Sequence, residues 1–230
     1  KRSGDVKDWS KLVIKQANNK VIFCSQLSGN NLWKDSEAGR TIIHVPDKEN
    51  EQNKSTFHIS VFNNHKNTWH PPTLWIGLGC ERNTSKELIE DSLQNFLVSN
   101  NLSPLSIAGF ASVDLKKDEQ AILKISKENK WPIKFFTSKE LSTINVPNPS
   151  NIVLNEIGTP SVAEAACIMA AGEGSKLLKE KKIFKSLDSS KSTSGAVTIA
   201  VAESKNQYSP SAGAIHVIGS GPGDISYLTN

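Results

Sequence analysis

The chain has 230 residues, of which 37% are hydrophobic and 22% charged, and a formal net charge of +4. That length predicts one large domain or two small ones, and that composition predicts a globular core. No apolar run approaches the roughly 20 residues of a membrane span, and no signal peptide is expected. The mild positive charge fits an anionic small ligand at least as well as nucleic acid, and no nucleic-acid-binding motif appears.

Cys24, Cys80 and Cys167 are far apart and form no CxxC pair. This argues against a disulfide framework or a structural zinc and for a reducing, cytoplasmic setting. A chain that starts at Lys1 rather than Met is expected to be a piece of something longer.

Residues 1–20 are polar, with a weak helical pattern around Trp9, Leu12, Val13 and Ala17. Segments 21–24 and 41–45 are strand candidates, 28–31 is a turn cluster and 47–55 a polar loop. Segment 57–61 alternates as a half-buried strand does. Residues 63–72, with Asn-Asn and Pro-Pro, read as an interdomain linker, which leaves 1–70 as a small, incomplete α/β unit.

The chain is organised around residues 74–97. Leu74-Trp75-Ile76 has strand length and is expected to end in a turn, Gly77-Leu78-Gly79-Cys80. A helix should open at Thr84, because Thr84 and Glu87 have capping-box spacing. Leu88, Ile89, Leu93, Phe96 and Leu97 then give it one buried stripe. Strand, glycine turn and helix start is where α/β proteins place ligands.

Segment 105–113 is the next strand, followed by a helix with Asp118 as N-cap. Segment 133–136 is a strand, and Thr137 and Glu140 repeat the capping-box spacing. Residues 145–150 read as loop, and a small-residue helix starts near 159–164. Residues 176–191 read as a basic, broken, solvated stretch, 196–202 as the clearest buried strand and 204–213 as a linker. A last strand, 214–218, runs into the glycines at 219–223, a weak phosphate- or nucleoside-binding signal. Alternating strands and helices predict a three-layer α/β sandwich behind the small unit.

Each candidate site residue carries two readings. Gly77 and Gly79 either admit a ligand to the backbone or shape a tight turn. Cys80 is a nucleophile before a helix start or a small buried hydrophobe. Arg82 is a carboxylate clamp or a solvated turn residue. Ser112, Asp114, Lys116 and Glu119 cluster past a strand end, with Asp114 as base and Lys116 as carboxylate partner, or as a solvated start to the next helix. Ser161 and Glu164 form a further capping box, although Ser161 at a helix N-terminus can also bind a carboxylate. His44, His58, His65, His70 and His216 make no recognisable pair with Cys80.

Four ordered segments carry a family resemblance: WIGLGCERNTS (75–85), ASVDLKKDEQAIL (111–123), PSVAEAACIMAAGEGSKLL (160–178) and AVTIAVAES (196–204). Together they resemble the C-terminal domain of the cobalt-precorrin-5A hydrolase (CbiG) family and the stand-alone CobE proteins. Asn83 stands where that family often has glycine, and Asn tolerates positive φ. The segment HVIGSGPGDISYLT (216–229) resembles the start of a tetrapyrrole methylase, the precorrin-3B C-17 methyltransferase.

The resemblance implies three parts: the end of the family's middle region (1–70), its C-terminal domain (71–203), and a linker with the first strand of a methylase (204–230). It also implies a cobalamin-pathway enzyme that opens the δ-lactone of cobalt-precorrin-5A and releases acetaldehyde, or else a non-catalytic tetrapyrrole carrier. The candidate site set for that chemistry, chosen on residue type and place in the chain, is Asp114 and Cys80 for catalysis, with Gly77, Gly79, Arg82, Thr84, Ser112, Lys116, Glu119, Ser161 and Glu164 binding a corrinoid. No metal or cofactor is implied for the hydrolase part, because cobalt arrives in the substrate; S-adenosylmethionine is implied for the methylase.

Overall fold

A computed structural model describes residues 1–46, 55–186 and 195–208. The first part holds helix α1 (Val6–Ala17), strand β1 (Ile22–Gln26), a 3-10 turn (Leu32–Asp35), the short helix α2 (Glu37–Arg40) and strands β2 (Ile42–His44), β3 (Thr56–Ile59) and β4 (Thr68–Trp69). The four strands form a parallel sheet in the order β2-β1-β3-β4. Helix α1 starts where Asp5 accepts the Lys7 amide, and it buries Leu12. The expected linker 63–72 contains β4, and Arg2 bridges to Trp69 there, so this stretch belongs to the small unit.

The second part begins with β5 (Leu74–Cys80), α3 (Lys86–Ser99), β6 (Ile107–Val113), α4 (Gln120–Asn129) and β7 (Ile133–Phe136). It continues with α5 (Ser138–Leu141), α6 (Asn151–Ile157), α7 (Val162–Ala171), β8 (Lys176–Lys185) and β9 (Ala196–Glu203). The sheet order is β7-β6-β5-β9-β8. Strands β5, β6 and β7 are parallel, whereas β9 runs antiparallel to both β5 and β8.

Alternation along β5 divides the core. Leu74, Ile76 and Leu78 pack with Leu88, Ile89, Leu93 and Phe96 of α3 and Ile122 and Ile125 of α4. Trp75 packs with the alanines of α7 on the other face. Period-two side chains thus cover both faces of the sheet with helices, and the result is the expected three-layer α/β sandwich.

Several boundaries differ from the sequence reading. Gly77 and Gly79 lie inside β5, not in a turn after it. A Cβ on Gly77 would come 2.8 Å from the Ala163 carbonyl carbon, so this glycine lets α7 press against the sheet. Helix α3 is capped by Ser85, whose hydroxyl accepts the Leu88 amide, while Thr84 donates to the Glu81 carbonyl. Helix α4 has Glu119, not Asp118, at its N-cap. Residues 176–185 form a ten-residue strand, not a broken surface. As an edge strand, β8 tolerates a lysine-rich sequence that also discourages pairing with other chains. The capping box at Thr137 and Glu140 forms in full.

No helix among the described residues is long and apolar enough to cross a membrane. The glycine-rich segment 214–224, the methylase-like stretch and His216 lie outside the described residues.

Candidate functional site

Parallel pairing of β5 with β6 sets Gly77 level with Ala111, so Cys80 and Asp114 leave the sheet at the same edge. A cleft of about 470 Å³ opens there. Its floor is the end of β5 (Gly79 and Cys80, with Glu81 and Arg82 beyond) and the end of β6 (Val113, with Lys116 beyond). One wall is β8 and β9, through Lys181, Ile183, Lys185, Ala196 and Thr198. The other is α6 and the start of α7, through Val153, Glu156, Ile157, Ser161 and Val162. Ligands commonly bind beyond the carboxyl ends of parallel strands, where loop backbone and helix starts converge.

Four cations (Arg82, Lys116, Lys181 and Lys185) and two carboxylates (Glu81 and Glu156) line the cleft. Lys116 is 8% exposed. Among the described residues its ammonium has no hydrogen bond or ion pair, so the cleft itself is where it can find an anionic partner.

Arg82 is anchored from behind: one nitrogen bonds the Asp118 carboxylate and another donates to the Leu115 carbonyl at 2.6 Å. The bond from Arg82 holds the Asp118 carboxyl below the ordinary carboxylate value. Glu119, nearly buried, lies 3.7 Å from Arg82 and accepts the Asn83 amide at 3.0 Å. That bond pins Asn83 at φ 58°, a left-handed turn that Asn accommodates without glycine.

The predicted residues therefore separate. Gly79, Cys80, Arg82, Lys116 and Ser161 line the cleft; Gly77, Thr84, Ser112, Asp114, Glu119 and Glu164 do not. Thr84 is buried, closing the turn on the Glu81 and Ala196 carbonyls. The Ser112 hydroxyl is buried and donates to the Leu78 carbonyl at 2.7 Å, which ties β6 to β5.

Cys80 sits at a strand end instead of a helix start. Burial pushes its thiol up to about 11, against the smaller opposing pull of Lys116, so it is protonated at neutral pH. Ser161 is the N-cap residue of α7, but its side chain makes no cap bond, and its buried hydroxyl has no partner among the described residues. Glu164 likewise makes no capping box. It is buried and accepts from Asn148 and from the Lys181 backbone. Sequence reasoning missed Lys181, Lys185, Glu81 and Glu156. The first two were hidden in a lysine run, and Glu156 is on a helix that no periodic pattern announced.

These features define an α/β module with a cation-edged cleft at its parallel strand ends. Residues 74–202 match the model of the cobalamin synthesis G C-terminus family, and the chain belongs to that family. A cobalt-precorrin-5A hydrolase from Priestia megaterium is 31% identical over 134 residues, 58% of this chain and 33% of the hydrolase. The chain thus spans about a third of that relative's length. Protein CobE from a Sinorhizobium species is 32% identical over 110 residues, 47% of this chain and 71% of CobE. A crystal structure of CobE, described as a protein of the cobalamin (vitamin B12) biosynthetic pathway, is 29% identical and superposes with a TM-score of 0.49, covering 57% of this chain and 89% of that one.

Proposed function

We propose that the cleft binds a carboxylate-rich tetrapyrrole of cobalamin biosynthesis, and that the chain is a segment of a cobalt-precorrin-5A hydrolase that opens the δ-lactone and releases acetaldehyde. The observation that carries this reading is the cationic edge. Four cations but only two carboxylates line the cleft, and buried Lys116 lacks a partner among the described residues. A ligand with several carboxylates would complete that edge with charge-assisted hydrogen bonds. The named hydrolase and CobE relatives support the substrate class.

In this reading water attacks the lactone carbonyl and a tetrahedral oxyanion forms. Its collapse breaks the ring ester and frees a hydroxyl, after which the carbon–carbon bond is cleaved and acetaldehyde leaves. Arg82, Lys181 and Lys185 orient the peripheral carboxylates, and Lys116 and the Ser161 hydroxyl are placed to stabilise an oxyanion. Cys80, held as a thiol, leaves water as the nucleophile. Glu81 and Glu156 line the cleft and are better placed as base than Asp114. Residues 1–70 act as the end of a middle region, 71–203 as the substrate module and 204–230 as the lead into a methylase domain that uses S-adenosylmethionine.

The second reading is a carrier that binds the corrinoid without turning it over. It is favoured by coverage, since the chain matches 71% of CobE but 33% of the hydrolase. An acetaldehyde assay with cobalt-precorrin-5A on this segment and on the complete chain separates them. Acetaldehyde from either preparation supports the hydrolase. Corrinoid binding with acetaldehyde from neither leaves the carrier, and no binding at all removes both.

A further inference from the structure

Strand β8 contains a bulge beside the cleft. Lys179 lies opposite Val201 and Lys182 opposite Ile199, so Glu180 and Lys181 together face the single residue Ala200. A bulge leaves one amide outside the ladder and re-aims the local side chains. Here the Lys181 amide donates to Glu164 Oε1 at 3.1 Å. Asn148 Nδ2 donates to the same oxygen at 2.9 Å and also to Glu180 Oε2 at 2.9 Å. Glu164 is fully buried, Oε2 has no partner, and no cation pairs with it among the described residues. Its bonds thus go to a strand backbone and a loop side chain, and the bulged residue it holds is one whose side chain lines the cleft.

We infer that Glu164 is a positioning residue: by holding the bulged backbone at Lys181 it aims the Lys181 ammonium into the cleft. This rests on the reading of the cleft as an anion site, because only there does the aim of Lys181 matter. It also explains a buried carboxylate that neither capping nor an ion pair accounts for. Because one oxygen accepts both bonds, glutamine can replace Glu164 without losing either, whereas alanine loses both.

The test uses cobyrinic acid, a cobalt corrinoid with free peripheral carboxylates, followed by its difference spectrum, together with hydrogen exchange at the Lys181 amide. Removing one charge-assisted contact should weaken binding about ten-fold in Lys181→Ala. Glu164→Ala should weaken it by a similar factor, and the double variant should be no weaker than either alone. Glu164→Gln should bind as the unaltered chain does. The Lys181 amide should be protected in the unaltered chain and in Glu164→Gln, and exchange fast in Glu164→Ala. Glu164→Met, of similar volume and without an acceptor, serves if the alanine variant does not fold.

Losses that multiply in the double variant, or unchanged amide protection in Glu164→Ala, would overturn the inference, as would a glutamine variant that behaves like alanine. If the unaltered chain binds no cobyrinic acid, the proposed function of the cleft falls. The amide exchange then decides alone whether Glu164 holds the bulge.

Discussion

Gly77 and Gly79 are two residues apart on one strand, and substitution by alanine should move stability in opposite directions. A Cβ at Gly77 would lie 2.8 Å from the Ala163 carbonyl carbon, closer still to its oxygen, and 3.1 Å from Cys167 Cβ. Two of these atoms are helix backbone, so α7 must move away from the sheet. Overpacking of this kind costs about 1–3 kcal/mol. Loss of unfolded-chain freedom on replacing glycine offsets roughly 0.4–1 kcal/mol of that. The net result at Gly77 is a loss of roughly 1–2 kcal/mol, or about 2–4 °C in Tm per kcal/mol for a chain of this size.

At Gly79 the nearest atom to an added Cβ is Thr198 Cβ at 3.7 Å, which is ordinary contact. Only the entropic gain applies there, so Gly79→Ala should be neutral or stabilising by up to about 1 kcal/mol. Urea unfolding of both variants, at unchanged m-value, provides the comparison. A Gly77→Ala midpoint at or above that of the unaltered chain would refute the view that this glycine exists for helix–sheet contact.

Two further outcomes follow from the ionisable groups. With its thiol raised to about 11, Cys80 should be thiolate to only on the order of one part in a thousand at pH 8, so alkylation should be slow and accelerate up to about pH 11; a rate that levels off near pH 8 would contradict this. Burial raises the Glu203 carboxyl above its ordinary 4.5, although bonds to Ser28 and Gly29 oppose the shift. The folded state then binds the proton more readily than the unfolded one, so this residue weakens stability as pH rises through the raised value. Glu203→Gln should therefore stabilise the chain at neutral pH, with the advantage fading as pH falls toward 4.5, and urea midpoints across that window measure it.

Much of the fold was legible because hydrophobic period and local caps agree with tertiary packing. Segment 133–136 and the Thr137–Glu140 box fall where their residues suggest. The same Ser-x-x-Glu spacing at Ser161 and Glu164 fails because Glu164 is drawn to the bulge in β8, a contact between residues 17 apart that no local pattern encodes. The lysines of 176–185 concealed an edge strand, since exposed positions on one sheet edge carry no apolar period. At the site, Cys80, Arg82 and Lys116 were legible from their place at strand ends. Ser112 and Thr84 were not separable from ligand contacts, because a buried hydroxyl bonded to a carbonyl reads in sequence like one aimed at a ligand.

The proposed function requires that Lys116 be held in the cleft for an anionic ligand and not for the fold. Titration of cobyrinic acid against the unaltered chain and Lys116→Met, with urea midpoints for both, tests it most directly. Losing this contact should weaken binding about ten-fold, while removal of a nearly buried charge with no partner among the described residues leaves the midpoint unchanged or higher. Equal affinity in the two proteins, or a lower midpoint in the variant, would contradict the account.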